Sequence, residues 1–254
     1  MKTATLALFT GAFALTLSAC SGPREKAFQQ TISRALKSAP GAAQPSTIVK
    51  TELAYARAAK ERGQYTAGLD FAGSGARLHG RNGPVDAVEF FSALSDPDTA
   101  IDWKPRIVVM SCDGALALST GRFTDQEGFV GNYVTTWVRQ NDGEYKWVYD
   151  VAGRDDPQPP PRRQFEDGDI VVTSIDAVQG LVATCPRGDD GIPPPPALSI
   201  SGEAPGAAQL SRDSTLRWRW EHQADGTKFV SAEYYYNGAW VTAFEESLAS
   251  PNEE

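Results

Sequence analysis

The chain has 254 residues, 41% of them hydrophobic and 10% aromatic, which is enough for one large core or for one domain with a smaller unit beside it. Acidic side chains outnumber basic ones by 32 to 24, for a formal net charge of -8. That balance lacks the basic footprint needed to hold a phosphate backbone, so no nucleic acid is expected as a partner.

In chain order, the first feature is Lys2 followed by an apolar run from Ala4 to Leu17, the layout of a secretory signal peptide. A membrane-spanning helix takes about 20 apolar residues, so this run is too short to stay in the bilayer. It ends in Leu17-Ser18-Ala19-Cys20, which resembles the lipobox of bacterial lipoproteins. The resemblance implies cleavage before Cys20, acylation of that cysteine with palmitate among the chains, and a protein held in the cell envelope. Ser21 after the cysteine implies the outer membrane, facing the periplasm. Residues 1–19 are then the signal and 20–46 a lipid-anchored tether, in which Phe28, Ile32, Ala35 and Leu36 share one face of a short helix.

A second helix is expected from Thr47 to Arg62, with Val49, Leu53, Ala56 and Ala59 as its inward stripe and Gly63 as its stop. After a short strand around Arg77 to His79, a third helix runs from Val85 to Leu94 and carries Phe90 and Phe91. Four strand-like runs follow: Ile101 to Met110, Leu116 to Phe123, Tyr133 to Arg139 and Tyr145 to Val151. Asp113-Gly114 and Asp142-Gly143 mark hairpin turns between them. The expected fold is α+β, an antiparallel meander with helices on one face. Strand alternation puts Tyr133, Thr135, Trp137 and Arg139 on one face, and sets Tyr145, Trp147 and Tyr149 opposite Val148 and Asp150. Which face turns toward the helices is left open by the sequence.

Beyond residue 154 the composition changes. A proline-rich linker covers 155–169, and a β-rich appendage covers 170–254 with a second proline-rich arm at 188–197. The appendage contains strand-like segments at Ile170 to Ile175 and Leu181 to Thr184. Leu216, Trp218, Trp220 and His222 alternate with Arg217, Arg219 and Glu221, and Tyr234-Tyr235-Tyr236-Asn237-Gly238-Ala239-Trp240-Val241 reads as a hairpin. Its aromatic ladder has two readings, cross-strand packing or a platform for envelope polysaccharide.

Residues 47–154 resemble the nuclear transport factor two-like superfamily, which includes the ketosteroid isomerases and SnoaL-like cyclases. Glu61-Arg62-Gly63-Gln64, Trp103-Lys104-Pro105, Ser111-Cys112-Asp113-Gly114 and Thr136-Trp137-Val138-Arg139-Gln140 carry the resemblance to uncharacterised exported members. It implies a curved antiparallel sheet wrapped around helices into a cone whose interior is a pocket for an apolar molecule, and no local motif matches the isomerases' base or oxyanion donors.

The usual catalytic signatures are missing: there are two histidines in the chain, no His-Glu-x-x-His and no Gly-x-Ser-x-Gly. No metal or other cofactor is expected. Polar candidates for the cone are His79, Asp102 and Asp150, with Arg122 beside them, and its apolar lining is expected from Phe90, Phe91, Trp103 and Trp137. If Cys20 is acylated, Cys112 and Cys185 remain as a pair for a disulfide in an oxidising compartment. The expected function is a membrane-anchored, non-catalytic protein that binds an apolar small molecule or assembles with another envelope protein. The alternative is an isomerase- or cyclase-like enzyme with a buried Asp or His in the cone. Nothing in the sequence fixes an oligomeric state.

Overall fold

The computed structural model describes residues 42–160, 177–186, 191–198 and 206–250. Cys20 with its signal and the tether as far as residue 41, the strand expected at 170–175 and most of the 155–169 linker lie outside the described residues.

Helix α1 (Pro45–Arg62) opens with proline in its first turn, where the missing N–H is no loss. Its buried face is Ile48, Glu52, Ala56 and Ala59, while Leu53 is half exposed. The helix is thus turned from the expected Val49/Leu53 stripe, and a carboxylate goes inside where the apolar pattern would have put a leucine. Gly63 ends this helix as expected, with φ at 107°, and α2 (Gln64–Phe71) begins at once after it. Asp96 caps it from a distant loop, accepting from the backbone N–H groups of Tyr65 and Thr66 at 2.5 and 3.2 Å.

Strand β1 (Ala72–Gly80) and the short β2 (Gly83–Asp86) form a hairpin, and α3 (Ala87–Ser92) follows, capped by the Asp86 carboxylate. Val85, expected to open that helix, is a strand residue paired with Leu78. Strands β3 (Asp102–Met110), β4 (Leu116–Thr124), β5 (Val130–Arg139) and β6 (Tyr145–Arg154) make the expected antiparallel meander. The complete sheet is mixed, because β1 adds to β6 in parallel and β7 (Gln179–Val182) adds to β3 in parallel. Its strand order is β2-β1-β6-β5-β4-β3-β7. Irregular registers interrupt β1, β3 and the β5/β6 pair, and such bulges bend and coil a sheet.

One of those bulges decides which side chains face the helices. Trp137 pairs with Trp147 and Thr136 with Tyr149, so Val148 is an extra residue. Trp147 therefore packs on the helical side with Phe91, Met110 and Trp137, whereas Tyr149 packs on the opposite side. The regular alternation expected for Tyr145, Trp147 and Tyr149 fails there, and Asp150 arrives on the helical side.

The last four strands, β8 (Gly206–Leu210), β9 (Leu216–His222), β10 (Lys228–Tyr236) and β11 (Ala239–Leu248), form a second antiparallel sheet. Asn237 and Gly238 both have positive φ, at 48° and 94°, as a two-residue hairpin turn requires. The sheet is not an isolated appendage. Leu216, Trp218, Val230 and Phe244 share one core with Val109, Leu118, Val134 and Val151 on the face of the first sheet away from the helices. Leu181, read from sequence as part of the appendage, belongs to the first sheet. Cys112 after β3 and Cys185 after β7 form a disulfide with their Cα atoms 5.1 Å apart, across this parallel edge. The described part of the second proline-rich arm lies against the outer sheet, where Pro196 and Pro193 carbonyls accept from Arg217 Nη1 and Trp240 Nε1.

Candidate binding cavity

Between α1 and the concave side of strands β3 to β6 lies a cavity of about 460 Å³. Tyr55, Trp103, Phe123, Tyr133 and Trp137 supply its aromatic wall, and Thr135 and Asp150 its inner polar groups. Tyr133, Thr135 and Trp137 face it together because β5 keeps its alternation between them.

Beneath this wall sits Glu52, 1% exposed. Tyr133 donates its hydroxyl to Glu52 Oε2 at 2.6 Å, and Ser119 donates to Oε1. Trp137 Nε1 in turn donates to Ser119 Oγ at 2.9 Å. No cation pairs with Glu52 among the described residues. Burial raises its pKa to about 7, against the pull of the two hydroxyl donors, and the nearby Asp150 adds a smaller push in the same direction. Asp150 accepts from Thr135 Oγ1 at 2.5 Å, and burial raises its pKa to about 6. The tyrosine hydroxyls stay protonated, since burial pushes Tyr55 and Tyr133 well above their ordinary range. The cavity therefore offers an apolar chamber with one carboxyl group poised to exchange a proton near neutrality and a second behind a tyrosine.

The structure brings Trp103, Trp137 and Asp150 together in this chamber. Phe90 and Phe91 do not line it. Phe91 fills the core between Gly68, Tyr65 and Trp147, and Phe90 is 40% exposed at the surface. Helix α3 packs on α2, β1 and β2, so its inward ring, Phe91, is taken up by Tyr65 and Trp147 there. Asp102 is at the surface beside Lys60, 2.5 Å away. His79 is buried, but between the two sheets and outside the cone. Its Nδ1 shares a hydrogen bond with the Tyr149 hydroxyl at 2.5 Å and its Nε2 one with His222 Nδ1 at 2.9 Å. Desolvation, with His222 and Lys228 nearby, lowers the His79 pKa to about 4. Arg122 is committed to Asp155 and Asn132.

Trp218 and Trp220 face inward as well, against Tyr149 and His79. They are packing residues, so the polysaccharide platform loses its two central rings. Among the described residues no group of three or more His, Cys, Asp or Glu is placed to hold a metal ion. The site residues that sequence reasoning missed are Glu52, Tyr55, Phe123 and Tyr133. Glu52 had no signal, since a helical carboxylate four residues from an alanine reads as solvated. Tyr133 and Phe123 were visible only as strand residues of undecided facing.

Compared with known proteins, the chain matches no family profile and no curated protein. Among solved structures it is similar to that of a putative ketosteroid isomerase from Parabacteroides distasonis ATCC 8503, at 9% sequence identity and a TM-score of 0.31, over 56% of this chain and 95% of that one.

Proposed function

We propose that the protein is an envelope lipoprotein that binds an apolar small molecule inside the cone. The observation that carries this reading is the chamber itself: about 460 Å³ of space walled by five aromatic rings and left unfilled by the protein's own side chains. Anchoring through Cys20 is supported by the lipobox-like run before it, and export by the Cys112–Cys185 disulfide, which suits an oxidising compartment. The binding experiment is a thermal-shift screen with neutral apolar compounds such as long-chain alcohols, sterols and polycyclic ketones. A ligand present at a hundred times its dissociation constant adds about 2.7 kcal/mol of stability, a shift of several degrees. If no such compound shifts the melting temperature, the reading fails.

A second reading is favoured by one specific observation. Asp150 faces the apolar chamber with a pKa raised to about 6, which suits a group that takes a proton from carbon and returns it. Proton abstraction next to a ligand carbonyl would appear as deuterium uptake at that carbon in D2O, followed by NMR. The reading expects uptake from a bound cyclic ketone that disappears in Asp150→Asn. Binding without uptake leaves the protein a carrier.

A further inference from the structure

The aromatic chamber changes character along the wall where the second sheet meets the first. At that wall β6 and the end of β11 approach so closely that a Cβ on Gly153 would lie 2.6 Å from the Ala249 carbonyl oxygen. Lys228 stands at this junction. It begins the inward stripe of β10 that continues as Val230, Ala232 and Tyr234, and it is 4% exposed. Its side chain extends past the core to the cavity wall, where Nζ donates to the Ala152 and Ala249 carbonyls at 2.9 and 3.3 Å.

An ammonium carries three protons, and these contacts use two. No carboxylate lies within ion-pair distance of Lys228 among the described residues. Arg154, at the more open part of the same cavity, is neutralised locally, because it pairs with Asp125 at 2.6 Å and Glu127 at 2.7 Å. A buried charge held only by neutral carbonyls is poorly compensated. Accordingly, desolvation, with Arg81 nearby, lowers its pKa to about 8, which keeps it a cation at neutral pH. Ser250 gives an independent sign. Its hydroxyl is buried on the same wall and has no hydrogen-bond partner among the described residues. Arg81 lines the wall too, and the turn at Gly226 lies against both Ser250 and the Arg81 backbone.

We propose that this wall is a head-group subsite: Lys228, with Ser250 and Arg81 beside it, receives the carboxylate of an amphipathic organic acid whose apolar body lies against Trp103, Phe123 and Trp137. This rests on the binding reading above and names its ligand class. It also gives the second sheet a role in the site, since β10 and the residues after β11 supply the polar end of a chamber that the first sheet and α1 build. A carboxylate there accepts the third ammonium proton and the Ser250 hydroxyl, replacing two unmet donors with charge-assisted hydrogen bonds.

The test compares decanoate, decanamide and decanol by calorimetric titration into the full chain at pH 7. Decanoate is expected to bind about tenfold or more tightly than either neutral probe. Lys228→Met should abolish that preference, bringing decanoate down to the affinity of the neutral probes. Ser250→Ala, which removes one exchangeable contact and no charge, should weaken decanoate several-fold and narrow its preference over decanol, so the proposal stays testable if Lys228→Met does not fold. Equal binding of the three probes to the native protein overturns the subsite and leaves the apolar chamber standing. Binding of none overturns both.

Discussion

Glu52 makes the interior of the cone measurable by stability. Its pKa rises from 4.5 in an unfolded chain to about 7 in the folded protein, so between those values the folded state holds more protons than the unfolded one. Stability from this group is present below pH 4.5 and is lost as pH rises to about 7. At 1.36 kcal/mol per pKa unit the loss is about 3 kcal/mol. Asp150, raised from 3.8 to about 6, acts in the same direction, whereas His79, lowered from 6.5 to about 4, costs stability as pH falls through that range. The native profile alone therefore mixes opposing contributions. Glu52→Gln isolates one of them, because the amide keeps the volume and cannot ionise. Urea unfolding of both proteins from pH 4.5 to 7.5 should show the variant gaining about 3 kcal/mol relative to the native protein as pH rises. A constant offset, from a rearranged Ser119 or Tyr133 hydrogen bond, does not affect that slope. Parallel pH profiles would refute the placement of Glu52 as an unpaired carboxylate beneath the chamber.

Three further outcomes follow from the packing and the sequence. Replacing both Cys112 and Cys185 by alanine opens a cross-link that spans 73 positions, and should cost about 4 kcal/mol on the chain-entropy relation; a change in the urea midpoint worth less than about 1 kcal/mol would contradict it. Gly153→Ala sets a methyl against the Ala249 carbonyl and should destabilise by about 1 to 3 kcal/mol while parting the two sheets at the chamber rim, so unchanged stability would deny that close approach. Cys20→Ala should move the protein from the membrane fraction to the soluble fraction of the envelope, and retention in the membrane would remove the lipid anchor from the account.

The meander and its turns were legible because each rests on local chemistry. Asp113-Gly114, Asp142-Gly143 and Asn237-Gly238 signal tight connections whatever surrounds them, and Trp103 and Trp137 declare large apolar surface within β-forming runs. The facing of those strands was not legible, because it depends on one inserted residue. With Val148 bulged, Tyr149 and Asp150 exchange sides, and no pattern in Tyr145-Lys146-Trp147-Val148-Tyr149-Asp150 marks where the slip occurs. Helix α1 fails for a related reason. Its apolar residues admit two overlapping stripes, and the one chosen buries Glu52 because Ser119 and Tyr133 stand ready on the sheet to donate to it. The second sheet looked separable for want of any signal that Trp218 and Trp220 alternate against another sheet rather than against solvent. Its contribution to the chamber, through Lys228, is a tertiary property of two chain segments more than 70 positions apart, Ala152 and Lys228.

The location of a bound molecule tests the central claim most directly. Crystals soaked with 10-bromodecanol and measured at the bromine absorption edge should give an anomalous peak inside the cone, among Trp103, Phe123 and Trp137. Bromine sites only on the outside of the protein, against Phe90 or Tyr236, with an empty chamber, would contradict it.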